Sequence, residues 1–391
     1  MTHRVRRHRL VAGTGMAVLL ALVHAVNDAL AAVLGSLLPS IQSRFAASAT
    51  TLAVLVATIN ISASVTQPVM GGLADRVGER RMLAGGVAVT AATLALIGSA
   101  ASVTQLVVLL AIGGLGSAAL HPVGASIVGG PSVKNPAQAV GLFTAGGMIG
   151  AAVGPVVVLY LLATHGVGSL VWLMIPGLVL AGVVLRVLPD WEPHSDGSLR
   201  RLVSPEVLSR RIALLTASSV LVNLAFLTFL SAVPLWLVAE HGIRTDAPLL
   251  GWVLATFAAA SGLGAVAGGT FAPRLGARRT TAGSMLLALV PLAAVLVLPV
   301  GGGTVLAATM GGFLVYASQP LLIVAAQEAA PSSPAAAGGL VIGVGNALAA
   351  VAYVGSGLLQ DSIGLPAAML ISFGLLVPGA ALATRAQSSG T

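Results

Sequence analysis

Charged residues divide this chain into long uncharged runs, and the lengths of those runs predict its elements. A bilayer-crossing helix needs about 20 mostly apolar residues. Arg9 to Arg44 holds one such run, interrupted by Asp28, and Arg44 to Asp75 holds a second. The runs from Arg81 to Lys134 and from Lys134 to Arg186 each have room for two helices, with turns expected near 101–104 and 164–168. Arg211 to Glu240 and Asp246 to Arg274 hold one each. Arg279 to Glu328 holds two, turning near 301–303, and the stretches on either side of Asp361 hold the last two. The pattern predicts an all-α membrane protein of twelve transmembrane helices.

The basic residues orient these spans. With the amino terminus inside, seventeen of the nineteen Lys and Arg residues fall on cytoplasmic segments, leaving Arg44 and Arg244 outside. Cytoplasmic loops carry the excess of Lys and Arg, so both termini are expected in the cytoplasm and the chain in the cell (inner) membrane. Arg4, Arg6, Arg7 and Arg9 look like the front of a signal peptide. The apolar stretch behind them runs to about Leu38, well past a signal h-region of roughly 7–15 residues. It reads as a retained first helix.

Composition narrows the class. Only 8% of the 391 residues are charged and 57% are apolar, against roughly 25% charged in soluble domains. Lipid must therefore be the solvent for much of this surface. The net charge of +8 sits in short loop clusters without interleaved aromatics, which argues against a nucleic-acid face. Cysteine is absent, so no disulfide, thiolate nucleophile or thiol metal site exists. No GxxxxGK[ST] motif supports direct use of ATP. Neither paired acids nor a His/Asp/Glu cluster at metal-ligand spacing is visible within a span. No enzyme, cofactor or metal is expected. The expected partners are a small-molecule substrate, protons and the lipid bilayer, with the chain a monomer.

The chain also repeats itself at an offset of 198. Arg76-Val77-Gly78-Glu79-Arg80-Arg81 matches Arg274-Leu275-Gly276-Ala277-Arg278-Arg279. Gly113-Gly114 falls on Gly311-Gly312, and His121-Pro122 falls on Gln319-Pro320. Asn135-Pro136-Ala137 with Gly141-Leu142 falls on Ser333-Pro334-Ala335 with Gly339-Leu340. A parallel repeat of six helices is a transporter architecture, with its binding site expected near mid-membrane. The polar stretch 189–211 reads as a cytoplasmic linker between bundles at 1–188 and 212–391.

The segment from Gly71-Gly72-Leu73-Ala74-Asp75-Arg76 through Met82-Leu83 resembles the loop 2–3 signature of the major facilitator superfamily. That resemblance implies two pseudo-symmetric six-helix bundles and secondary transport. More narrowly, His24, Asn27 and Asp28, followed by His121-Pro122, resemble the fosmidomycin-resistance-like efflux branch. An acid often follows the His-Pro pair in that branch; here Val123 does.

Asp28 is the one acid deep inside a span. A charge at a helix centre costs about 2.5–3.5 kcal/mol on insertion scales, and such residues usually line a pathway. His24 stands four residues earlier, on the same helix face, and Asn27 immediately precedes Asp28. The group is a candidate for proton coupling or cation binding, weighed against a structural polar contact. His121, ahead of the kink-prone Pro122, is a second candidate ligand. Depth counting puts Asp28 outward of the midplane and His121 inward of it, so contact between them is not claimed, and joint action would run through water or in different states.

Gly71, Asp75, Arg76, Gly78 and Arg80 are candidates for a cytoplasmic gate. In the superfamily this loop docks on the start of helix 11, here Ser332-Ser333-Pro334, whose helix amino terminus attracts an anion such as Asp75. Gly146, Gly150 and Gly154-Pro155 recur by four and permit close helix packing. The portion at Gly150, Gly154 and Pro155 resembles the superfamily's antiporter motif. The helix 4 Arg of many proton-coupled exporters falls on Leu110. Asn60, Asn223, Gln319 and Asn346 are candidate polar cavity residues. These features favour proton-coupled export. Symport or uniport uptake is the alternative, and a non-transporting receptor a remote one.

Overall fold

The computed structural model describes residues 14–129, 136–188 and 206–388, and among these the regular structure is entirely helical. The first span is α1 (Thr14–Ala31) and α2 (Val33–Phe45), with a one-residue break between them. The second is α3 (Ala49–Val65) and α4 (Gln67–Val77), bent by 41° at Thr66. Next come α5 (Glu79–Ala95), α6 (Val103–Gly129), α7 (Pro136–His165) and α8 (Met174–Val187). The later spans begin with α9 (Arg210–His241), α10 (Pro248–Leu275) and α11 (Ala277–Val297). They continue with α12 (Gly302–Tyr316) and α13 (Gln319–Ala329), then α14 (Pro334–Gly339), a π-helical turn (Leu340–Val344) and α15 (Gly345–Ile363). The last is α16 (Leu365–Gly374) with α17 (Leu376–Ser388). Among the described residues, eleven helices are long and apolar enough to cross a membrane, twelve when α3 and α4 count as one bent span. The hydropathy pattern placed each of them.

Large apolar side chains remain exposed on these helices, as lipid-facing positions must. Val297 is 80% exposed, and Val266, Val290 and Leu263 stand out similarly. In water such a surface would be an aggregation liability; in a bilayer it faces its proper solvent.

The repeat is conformational as well as sequential. Gly78 joins α4 to α5 at φ 93°, ψ 134°, and Gly276 joins α10 to α11 at φ 86°, ψ 131°. Both turns need a positive φ that glycine adopts without a Cβ clash. The offset also holds in packing. A methyl group on Gly113 would strike Leu94, and one on Gly311 would press on Leu292.

Packing divides the chain into two compact units. The first holds residues 1–34 and 62–197. Its core gathers Leu20 and Val23 of α1, Leu83 and Val87 of α5, Leu120 of α6, Phe143 of α7 and Val184 of α8. The second holds residues 35–61 and 198–391, so most of α2 and α3 packs with α9 to α17. Within it Phe229 stacks on Phe257 at 3.8 Å, and Ser218 Oγ donates to Gly379 O at 2.9 Å, tying α9 to α17. Most of the expected linker 189–211 lies outside the described residues; its last part turns into α9, with Ser209 as the N-cap.

Candidate functional site

The site is assembled where α1 lies against α7. Gly146, Gly150 and Gly154 put bare backbone on one face of α7. A methyl group on each would fall 2.2 Å from Ala21 O, 2.0 Å from Ala25 O and 2.6 Å from Ala29 O. The spacing by four predicted this close approach, and its partner proves to be α1.

That approach presses the polar face of α1 onto α6 and α7. His24 Nδ1 stands 2.8 Å from Phe143 O, and the two rings lie 4.2 Å apart. A carbonyl can only accept, so Nδ1 carries a hydrogen. In neutral His24 the other nitrogen, Nε2, then presents a lone pair. It faces Asp28 Oδ2 at 3.3 Å. A lone pair and a carboxylate oxygen repel unless a positive species lies between them. The pair can therefore hold one proton between its two atoms.

The remaining contacts fix the carboxylate. Asn27 Nδ2 donates to Asp28 Oδ1 at 3.0 Å and to Ser117 Oγ of α6 at 2.9 Å. His121, one turn beyond Ser117, meets the His24 ring edge-on at 5.1 Å. Its Nδ1 is buried without a protein partner. One donor atom from each of His24, Asp28 and His121 lies within 4.8 Å of the others, close enough to share one cation. His24 and Asn27 are buried, while the Asp28 side chain keeps 26% of its surface accessible. Gly147 closes the site from α7, where a methyl group would stand 2.5 Å from His24 Nε2 and 2.8 Å from Asp28 Oδ2.

Two expectations are corrected here. His121 is not remote from the Asp28 group, and a His/Asp cluster with cation-binding spacing does lie within the spans. Depth counted along each helix alone leaves out how α1 and α6 pack together. With their ring centroids 5.1 Å apart, His24 and His121 stand level across that packing. The cluster was invisible to spacing rules because it draws on two helices.

The gate candidates are distributed along α4 and α5. Gly78 makes the tight turn, Arg76 is exposed, and Arg80 Nη1 donates to Leu188 O at 3.4 Å. Gly71 packs near Pro122. The side chain of Asp75 lies outside the described residues. Its expected docking point, the start of α14, is held by Glu206, whose Oε2 accepts from Ser332 N at 3.2 Å and from Ser332 Oγ at 2.5 Å. Glu79 accepts from Ser126 Oγ at 2.7 Å. Gly154 and Pro155 are buried within α7.

Among the cavity candidates, Asn60 Nδ2 bonds back to Val56 O at 2.8 Å, which spends its amide on its own helix. Asn346 is half-buried in α15. Asn223 and Gln319 meet on Ser219, at 3.2 and 2.8 Å from its Oγ. Ser117, Gly147 and Ser219 were not singled out from the sequence. The repeat held a signal for Gly147, since the same offset places it on Gly345.

Comparison with known proteins agrees with this architecture. Residues 20–355 match the model of the Major Facilitator Superfamily. The fosmidomycin resistance protein of Escherichia coli is 25% identical over 287 residues, covering 71% of this chain and 69% of that one. An uncharacterized MFS-type transporter of Bacillus subtilis, YfnC, is 28% identical over 184 residues, or 46% of this chain and 44% of the relative. In fold, the chain resembles a bacterial homolog of the human lysosomal transporter Spinster, with TM-score 0.82, 16% identity and 96% of each chain covered. It also resembles the nucleoside transporter NupG, with TM-score 0.72 and 14% identity over 96% of this chain and 99% of that one. Multi-pass and built to move small molecules across a bilayer rather than to transform them, the chain belongs to the major facilitator superfamily.

Proposed function

We propose that this transporter exports a small molecule in exchange for protons, by alternating access, with Asp28 as the proton carrier. The observation that carries the reading is the Asp28–His24 pair. The Phe143 carbonyl fixes the imidazole so that its free nitrogen faces the carboxylate. Coupling requires that proton and substrate bias the same two-state equilibrium. A proton between Asp28 and His24 neutralises the pair and releases the demand for another partner. Its loss restores a buried anion that His121, when protonated, or a cationic group of the cargo satisfies. Asn27 holds the carboxylate in place through both states.

The frame is two six-helix bundles, 1–188 and 212–391, joined by 189–211, in the cell (inner) membrane with both termini cytoplasmic and the chain monomeric. The loop 71–83 serves as the cytoplasmic latch. The α7 glycines Gly150 and Gly154, with Pro155, let α1 and α7 move as one close-packed pair. Resistance to fosmidomycin, named for the Escherichia coli relative, supports export over uptake and makes that compound the first to test.

Everted vesicles with a respiration-generated acid interior provide the assay, read with a pH-sensitive dye. A transported compound added outside should raise the lumenal pH as it exchanges for protons. Asp28→Asn should abolish that rise while leaving expression intact. Undiminished exchange in Asp28→Asn overturns the proposed role. Acidification of the lumen on adding compound without a pre-set gradient would indicate symport instead.

A further inference from the structure

The repeat relates the charged cluster to a second, uncharged one. His24 and Asp28 are spaced by four on α1; Ser219 and Asn223 are spaced by four on α9. His24 binds Phe143 O, and Ser219 Oγ donates to Val341 O at 3.0 Å. Residues 143 and 341 are separated by the repeat offset of 198, as are His121 and Gln319, and Gly147 and Gly345. The glycines even play the same part. A methyl group on Gly345 would stand 2.8 Å from Ser219 Oγ and 3.8 Å from Asn223 Nδ2. By their contacts, Ser219, Asn223, Gln319 and Gly345 take the places of His24, Asp28, His121 and Gly147, although 219 and 223 follow 24 and 28 by 195 residues and not by 198.

The chemistry of this counterpart follows from its proton count. The Ser219 hydroxyl has one hydrogen and gives it to Val341 O. Gln319 Nε2 and Asn223 Nδ2 must then both donate to Ser219 Oγ, and Asn223 Nδ2 also reaches Ser219 O at 3.0 Å. That arrangement fixes the Gln319 amide with Oε1 turned away from the serine. Gln319 is 5% exposed, and its Oε1 has no protein partner. An unmatched buried acceptor is costly, and folds rarely keep one without a use. Val341 itself lies in the π-helical turn, an irregularity concentrated at functional sites.

We propose that Ser219, Asn223 and Gln319 form an uncharged substrate subsite, which takes a hydroxyl or amide N–H donor of the cargo on Gln319 Oε1. The proposal rests on the transport reading above for the identity of its occupant. It divides the labour between the repeats: the first half carries the exchangeable charge, and the second reads a neutral polar group of the cargo. A subsite of this kind must be wetted at some point in the cycle, whereas a structural knot of amides stays dry.

The native absence of cysteine makes the difference measurable. Asn223→Cys and Ser219→Cys would be placed singly, with Val222→Cys, a fully buried apolar neighbour on α9, as the dry control. The probe is the membrane-impermeant reagent 2-sulfonatoethyl methanethiosulfonate, applied to everted vesicles and to intact cells stripped of their outer wall. The 223 or 219 thiol should react on the order of tenfold faster than the 222 thiol from at least one side, because reaction needs an exposed thiolate. Equal rates from both sides overturn the proposal, whatever the vesicle assay finds. In a second arm, Gln319→Leu should abolish proton exchange by transported compounds that carry a hydroxyl or amide donor, with thermal unfolding reporting on folding. Full exchange of those compounds by Gln319→Leu overturns the subsite and leaves the Asp28 reading standing. Undiminished exchange in Asp28→Asn with loss in Gln319→Leu does the reverse.

Discussion

The carboxylate of Asp361 caps the amino terminus of α3 at Thr50. Its Oδ2 accepts from Thr50 N at 2.9 Å and from Thr50 Oγ1 at 2.5 Å, while Oδ1 accepts from Ala49 N at 2.8 Å. One side chain near the end of α15 thereby satisfies two of the orphan donors with which every helix begins, and its charge suits the positive end of the helix dipole. Replacing a helix cap by Ala costs about 0.5–2 kcal/mol. Asp361→Ala should lower the thermal midpoint in detergent, and Asp361→Asn should lower it less, because an amide keeps one acceptor. An unchanged midpoint in both would show that the cap adds nothing.

The turn that delivers α3 to this cap offers a stabilising change. Ala46 has φ 48° and is, among the described residues, the one non-glycine at positive φ. It stands where a helix ends in a Schellman turn, with Ala47 N bonded to Gln42 O at 3.2 Å. Glycine is the usual occupant of that position because it lacks a Cβ. Ala46→Gly should raise stability by about 0.5–1 kcal/mol, the roughly 1–2 kcal/mol left-handed penalty of a Cβ less the roughly 0.5–1 kcal/mol of extra backbone entropy that glycine loses. A drop in midpoint would mean that the unfolded-state entropy of glycine outweighs the relieved strain.

The loop after α9 tests orientation. Arg244 and Asp246 form a two-bond pair at 2.9 and 2.6 Å on an exposed surface. In the cysteine-free chain, Arg244→Cys should react with an impermeant thiol reagent in intact cells, and Arg279→Cys only in everted vesicles. The opposite result would invert the topology. The hydrogen bond from Arg244 holds the Asp246 carboxyl below the usual carboxylate range. A depressed folded pKa gives stability that is present above the unfolded value and lost as pH falls through the folded one. The midpoints of the native chain and Asp246→Asn should therefore converge in acid. At neutral pH their difference should be small and shrink further with salt, as for other exposed pairs.

Hydropathy exposed most of the fold because lipid imposes length: each uncharged run had to be a helix or a pair, and each proved so. The glycine run at 146, 150 and 154 was legible for the same local reason, since spacing by four on a helix makes a face. The site was half legible. His24, Asn27 and Asp28 share a turn, so one helix sufficed to group them. His121 joins them only through the packing of α6 against α1, and no spacing rule spans that distance. Asn223 and Gln319 were legible as polar candidates one by one, but their meeting on Ser219 stayed hidden for a further reason. Serine and asparagine in an apolar helix carry no charge to betray them, and their kinship with His24 and Asp28 lies in shared hydrogen-bond geometry, not in residue type.

Gly147 separates packing from chemistry most sharply. A methyl group there would press into His24 Nε2 at 2.5 Å and Asp28 Oδ2 at 2.8 Å, below any real Cβ contact distance. Both are side-chain ends, so the fold can yield by turning the imidazole or the carboxylate aside. Overpacking of this kind costs about 1–3 kcal/mol, partly offset because Ala is the better helix former by roughly 0.8–1 kcal/mol. Gly147→Ala should therefore fold with a modest loss of midpoint and yet lose proton exchange in everted vesicles, because the shared-proton geometry cannot form. Gly141→Ala is the matched control. It meets nothing within 4 Å on the same helix and should exchange normally with an equal or higher midpoint. If Gly147→Ala exchanged protons as well as Gly141→Ala, the close pairing of His24 and Asp28 would be dispensable, and the proton would have to ride on another group.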